Sequence, residues 1–178
     1  MKFGIYYSYW EQEWSADCLK YVEKVARLGF DVIEIAAHHL NSYSPAHLAE
    51  VGRAAKANAI AITAGLGPSP EKNLSSPDPA IRNAGRAFFE DTLVNLAKLD
   101  IRVIGGALHS YWPIDYSKPV DKAGDRARGL EGISSLADFA ANLGVDLCLE
   151  VLDALEAGAA EDPSLCAFVA AKCVRARG

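Results

Sequence analysis

The chain has 178 residues, of which 51% are hydrophobic and 23% charged, and its formal net charge is -5. These are ordinary values for one globular domain, and an acidic chain without a basic stretch disfavours nucleic acid as a partner. No apolar run approaches the roughly 18 residues of a membrane span, so no membrane partner is expected, and residues 1–7 lack the apolar core of an export signal.

Apolar, β-rich runs alternate with helical patterns along the chain. The first strand is expected at residues 3–9, followed by a helix at 16–28 with Cys18, Val22, Val25 and Ala26 on one stripe. Leu28-Gly29 ends that helix where a left-handed residue is wanted, and Phe30-Asp31 leads into a strand at 32–37. Ser44-Pro45 caps a helix at 45–57, and a third strand follows at 60–65. Asp78-Pro79 opens a helix at 80–99, which leads to a fourth strand at 103–108. A helix at 123–143 places Leu130, Ile133, Ala137 and Ala140 on one stripe. Leu143-Gly144-Val145-Asp146 then repeats the earlier helix-to-strand junction before a fifth strand at 146–152. Asp162-Pro163 marks one more cap, within an Ala-rich, helical tail at 157–178. The four cysteines, Cys18, Cys148, Cys166 and Cys173, show neither zinc nor disulfide spacing. They read as small buried apolar residues in a reducing, cytoplasmic setting.

Five strands alternating with helices point to a parallel α/β architecture. No Gly-x-Gly-x-x-Gly follows the first strand, which disfavours a dinucleotide fold. Gly105-Gly106-Ala107 in the fourth strand suits a crowded barrel interior. The expected fold is an incomplete (β/α)8 TIM barrel of about five βα units, since a whole barrel takes about 200–250 residues.

Chemistry on such folds sits at the C-terminal ends of the strands. Those ends carry Tyr6, Trp10, Glu11, Glu13 and Trp14; then His38 and His39; then Gly65-Leu66-Gly67-Pro68-Ser69; then His109, Tyr111, Trp112 and Asp115; and finally Glu150. Alternation puts Cys148, Glu150 and Leu152 on one face and Leu147, Leu149 and Val151 on the other. The Leu/Leu/Val face suits packing on helices, so Glu150 points into the barrel, where a carboxylate is costly unless paired or bound to a cation. Tyr6, Trp14 and Trp112 form either a platform for the C–H face of a sugar or caps on the core. His38 and His39, if on a strand, point opposite ways and cannot both face one metal. His109 either donates to a substrate hydroxyl or is a satisfied loop histidine. Gly65-x-Gly67 is weak evidence for close approach of a ligand.

Four tracts carry a resemblance: residues 4–11 (Gly-Ile-Tyr-Tyr-Ser-Tyr-Trp-Glu), Glu34-Ile35-Ala36-Ala37, Asn73-Leu74-Ser75-Ser76, and residues 104–116 from Ile104 through His109-Ser110-Tyr111-Trp112 to Tyr116. Over roughly residues 1–156 the chain resembles the D-psicose (D-allulose) and D-tagatose 3-epimerases, which are xylose-isomerase-like TIM barrels. The resemblance implies a homo-oligomeric enzyme that inverts C3 of a free ketohexose such as D-fructose, D-psicose or D-tagatose. It also implies a divalent metal, Mn2+, Co2+ or Mg2+, that stabilises an enediolate. By the same resemblance Glu150 is a metal ligand and one of two acid/base carboxylates. Tyr6, Trp14, Ala107 and Trp112 line the sugar pocket, and Glu156 contacts substrate.

The departures begin at Glu150-Val151-Leu152-Asp153-Ala154-Leu155-Glu156, where the family reads Glu-Val-Leu-Asn-Arg-Phe-Glu. The family's other metal ligands (an aspartate, a histidine and a second glutamate) and its substrate-binding histidine and arginine lie on later strands without counterparts here. The expectation is therefore a truncated 3-epimerase, inactive alone, that works only with a complementing C-terminal half or in an oligomer. The alternative is a non-catalytic remnant or a sugar-binding partial barrel. A weaker third is another sugar isomerase or an endonuclease-IV-like barrel acting on DNA, which the acidic balance disfavours.

Overall fold

The structure, a computed structural model, describes residues 1–150 apart from Tyr116, Lys118 and Val120. Val151 and Leu152 of the expected fifth strand, Glu156, Cys166, Cys173 and the 157–178 tail lie outside the described residues. Among the described residues five strands alternate with four α-helices: β1 (Gly4–Tyr6), α1 (Leu19–Arg27), β2 (Val32–Ala36), α2 (Pro45–Ala57), β3 (Ala61–Gly65), α3 (Pro79–Lys98), β4 (Val103–Gly106), α4 (Lys122–Leu143) and β5 (Asp146–Leu149). All strand pairs are parallel and the sheet order is β1-β2-β3-β4-β5, which is the arc of a partial TIM barrel.

Local chemistry sets the element ends. Ser44 Oγ accepts from the His47 backbone N–H at 3.2 Å, and Asp78 Oδ1 accepts from Ala80 N–H at 2.8 Å. Each cap stands before a proline in the first helical turn, where a missing N–H costs nothing. Gly29 and Gly144 close α1 and α4 at φ +81° and +70°, in the left-handed region.

Two strands stop sooner than their apolar runs. β1 ends at Tyr6 because Tyr7–Tyr9 turn into a 3-10 helix, which seats the Tyr7 ring 6.1 Å from that of Tyr21. β2 ends at Ala36, and His38 and His39 ride on a 3-10 helix, Ala37–Ser42, rather than on a strand. α1 starts at Leu19, later than expected, since Asp17 Oδ1 accepts from the Leu19 N–H and turns the chain there.

Parallel register sorts the strand residues into rows on two faces. Ile5, Ile33 and Ile62 lie side by side, as do Ile35, Ala64, Ile104 and Leu147. These rows pack against Val22 and Val25 of α1, Leu48 and Val51 of α2, Phe89, Leu93 and Leu96 of α3, and Ile133 and Leu136 of α4, all buried. Burying each large apolar side chain is worth about 1.5–3 kcal/mol, which makes this helix-covered face the main source of stability. The opposite face holds the rows Tyr6, Glu34, Thr63 and Ala36, Gly65, Gly105, Cys148.

β4 breaks at Gly106, whose φ is +122° and whose absent side chain lets the Leu66 carbonyl oxygen approach. A Cβ would sit 2.3 Å from that oxygen. The small residue is thus required by a neighbouring strand end rather than by barrel crowding. Gly106→Ala should lower stability by at least about 1–3 kcal/mol from backbone strain alone. Urea unfolding of the two proteins reads this directly, and equal midpoints would refute the strand-end reading.

Candidate functional site

A cavity of about 1010 Å³ opens over the face opposite the helices, at the C-terminal ends of the strands. Its walls come from every strand end: Tyr6 and Trp14 after β1; Glu34, His38 and His39 from β2 onward; Gly65–Gly67 from β3; Gly105–Ala107 and Trp112 from β4; and Cys148–Glu150 from β5. The size suits a small polar ligand with aromatic walls around it.

The aromatics are held from several sides. The Tyr6 and Trp14 ring centroids are 6.4 Å apart, and Trp14 lies 6.0 Å from His38. Trp112 N–H donates to the Pro68 carbonyl at 2.8 Å. Gly67 makes room for it, since a Cβ there would stand 2.7 Å from Trp112 Cβ. Both glycines of Gly65-x-Gly67 border the cavity, and the second also seats a tryptophan. Trp14 and Trp112 stay 52% and 40% exposed, so neither is a cap sealed in the core. Ala107 lines the cavity as a buried residue beside them.

Glu150 follows β5 and is fixed by its backbone N–H, which donates to the Gly106 carbonyl at 3.1 Å. It borders the cavity, with Cys148 exposed on the same side and Leu147 buried on the other, as strand alternation requires. Cys148 is thus no buried apolar filler, whereas Cys18 is: burial pushes its thiol up to about 11.

A second carboxylate, Glu34, lines the cavity from the middle of β2, and Thr63 Oγ1 donates to its Oε2 at 3.0 Å. Reading strand ends alone passes it over. The sequence signal is a single charge inside Val32-Ile33-Glu34-Ile35-Ala36, where both isoleucines face the helices. Tyr6 stands beside it in the same row. Burial, then the neighbouring Tyr7, Glu34 and Glu150, push the Tyr6 hydroxyl well above its ordinary range. It stays protonated and acts as a donor at any working pH.

Other expected residues serve elsewhere. Glu11 accepts from the Lys20 ammonium and the Tyr21 hydroxyl, both at 2.7 Å, and these partners hold its carboxyl down to about 2. Trp10 stacks on Tyr21 with Lys24 over its ring at 4.3 Å, so this group packs on α1 and does not border the cavity. Tyr111 accepts from the Asp115 N–H within its own loop. His38 and His39 both border the cavity, because a 3-10 turn rather than a strand carries them. His38 Nε2–H donates to the Gly67 carbonyl at 2.7 Å. His109 is buried, and neither ring nitrogen has a hydrogen-bond partner among the described residues. It does not border the cavity, so it is neither a substrate donor there nor a satisfied loop histidine.

Among the described residues no three His, Cys, Asp or Glu side chains come close enough together to hold a metal ion. Glu150 would supply at most one carboxylate to such an ion, and a hard divalent cation takes six or more oxygen ligands. The described residues on their own do not fit such an ion. None of the described helices is long and apolar enough to cross a membrane.

Comparison with known proteins bears on this cavity. Residues 22–162 match the family described as xylose isomerase-like TIM barrel. A D-psicose 3-epimerase of Agrobacterium fabrum is 68% identical over 156 residues, which cover 88% of this chain and 54% of that protein. A D-psicose 3-epimerase of Ruminiclostridium cellulolyticum is 56% identical, with 88% and 53% covered. The chain spans about half the length of the curated relatives it matches. The crystal structure of a D-psicose 3-epimerase in the presence of D-fructose aligns with a TM-score of 0.92 at 61% identity, covering 97% of this chain and 60% of that one. The Clostridium cellulolyticum H10 enzyme with D-tagatose aligns at 0.92 with 50% identity and the same coverage.

Burial lowers the pKa of both His38 and His109 below the ordinary imidazole value. The unfolded chain then binds more protons than the folded one below about pH 6.5, so stability falls as pH drops through that value. The melting temperature should be level from pH 8 to 7 and decline from about 6.5 to 5.5, above the range where most carboxylates titrate. A His38→Gln/His109→Gln double variant should show a shallower decline. An unchanged slope in that variant would assign the effect to other groups.

Proposed function

The chain belongs to the xylose isomerase-like TIM barrel family, and from that premise we propose that it provides the N-terminal half-site of a ketose 3-epimerase. The supporting observation is Glu150 at the end of β5, bordering a sugar-sized cavity walled by Tyr6, Trp14, Ala107 and Trp112. The 68% identity to a D-psicose 3-epimerase over 156 residues supports the same reading.

The reaction follows from the acidity of a C–H beside a carbonyl. The C3 proton of a ketohexose lies next to the C2 carbonyl. Glu150 takes that proton as a general base, and the C–H electron pair passes into the C2–C3 bond to give an enediolate. Return of a proton to the opposite face of C3 restores the carbonyl and inverts the centre. That return needs a second acid on the other side of the sugar. Tyr6 donates a hydrogen bond to the substrate, and the tryptophans cover its apolar face and exclude water. Glu156, outside the described residues, is proposed as a further substrate contact.

A divalent ion, Mn2+, Co2+ or Mg2+, belongs to the same reading. Of its ligands the described residues supply Glu150 alone, so its site lies in a larger assembly than these residues make. The partner in that assembly is a complementing half barrel, or a second copy of the chain, covering the polar sheet face and the β1 and β5 edges. A sugar-binding half barrel without turnover is the second reading, favoured by the absence among the described residues of an assembled metal site.

The test is conversion of D-fructose with added Mn2+. The 178-residue chain alone should give no D-psicose. Mixed with the unmatched part of the Agrobacterium relative, it should give product, and Glu150→Gln should cut that activity by about 100-fold or more. A complex that forms yet stays inactive favours the non-catalytic reading, while turnover by the unmixed chain contradicts the half-site proposal.

A further inference from the structure

Glu34 has an environment that neither packing nor acid/base chemistry explains. It is a carboxylate in the middle of a strand, flanked in sequence by Ile33 and Ile35, which face the helices. It makes no ion pair with any described residue, and Thr63 Oγ1 at 3.0 Å is its one side-chain hydrogen-bond donor there. An ionised carboxylate accepts about four hydrogen bonds. Most of that capacity is therefore open toward the cavity.

The surroundings explain why it stays open. Tyr6, Glu34 and Thr63 occupy one row across three neighbouring strands. Gly65 sits next along β3, and its missing side chain leaves a bare floor. A Cβ at Gly65 would lie 3.5 Å from Glu34 Oε1 and 3.6 Å from the Tyr6 hydroxyl. A donor, Tyr6, and an acceptor, Glu34 Oε1, thus border one small space at the bottom of the cavity, while the indole walls stand at its rim.

We propose that Glu34, oriented by Thr63, is a polyol-binding residue whose Oε1 accepts from hydroxyl groups of the bound ketose over the Gly65 floor. This rests on the reading of the cavity as a ketose site. A carboxylate is suited to it because each sugar hydroxyl brings a donor, and an acceptor-only group aligns a neighbouring pair of them. Thr63 fixes the carboxylate plane by occupying Oε2, so Thr63 acts through Glu34.

Ligand-observed NMR titration of the intact chain with D-fructose tests it. Glu34→Gln should weaken binding by about 10-fold, the loss of a charge-assisted hydrogen bond. Thr63→Val should weaken it less. Gly65→Ala should also weaken it, since the added methyl makes ordinary contacts and fills the floor without straining the fold. Circular dichroism of each variant should match the parent. Binding by the parent with Glu34→Gln and Gly65→Ala both within twofold of it overturns the role of Glu34 and leaves the ketose reading standing. No response from the parent chain at all overturns this proposal and the binding half of the ketose reading together.

Discussion

A parallel strand can present only two faces, and the helices of this chain take one of them completely. Ile33, Ile35, Ile104 and Leu147 are buried under α1 to α4, and that dry contact leaves no freedom for the residues between them. Glu34, Thr63, Gly65, Gly105 and Cys148 must face the other way. A slip of one residue in β2 would put Glu34 into the hydrophobic layer, at a cost far above what a hydrogen bond returns. The position of the cavity residues is thus a consequence of packing on the far side of the sheet.

The same constraint explains the character of the open face. A closed barrel fills its interior with layers of side chains from alternate strands. Here the rows toward the C-terminal strand ends are short, polar or missing a side chain: Tyr6, Glu34 and Thr63, then Ala36, Gly65, Gly105 and Cys148. What the described residues supply is one wall of a chemical site, with its aromatics, one donor and two carboxylates. A proton transfer that inverts a carbon needs groups on both sides of the substrate, so on the proposed reaction this wall would serve binding and one of the two proton transfers.

Much of this was legible in the sequence because it is written locally. Ser44-Pro45, Asp78-Pro79 and the two Leu-Gly junctions are short-range signals, and each marks a real helix end. The orientation of Glu150 was legible for the same reason, since alternation needs only the neighbours Leu147 and Cys148. The turns after β1 and β2 were not. Tyr7 extends the apolar run of the first strand, yet it leaves the sheet to meet Tyr21 on α1, a distant partner that periodicity cannot announce. The two histidines share a cavity wall only because Ala37–Ser42 coils into a 3-10 helix. Glu34 carries the same alternation signal as Glu150, but it sits mid-strand, where a search of strand ends does not look.

The three glycines near the ends of β3 and β4 show how little of the cavity is left to loop conformation. Gly65 clears the floor beside Glu34 and Tyr6, Gly67 admits the Trp112 side chain, and Gly106 receives the Leu66 carbonyl. Each absence of a side chain is matched to specific neighbours, and all of them line the cavity. The Gly106 carbonyl then accepts from the Glu150 backbone N–H, so the close approach of β3 to β4 reaches Glu150 through one hydrogen bond. Sites built on strands and their immediate ends hold their geometry better than sites on long loops. That is why a five-strand arc can present an ordered wall: its shape is set by backbone contacts inside the arc.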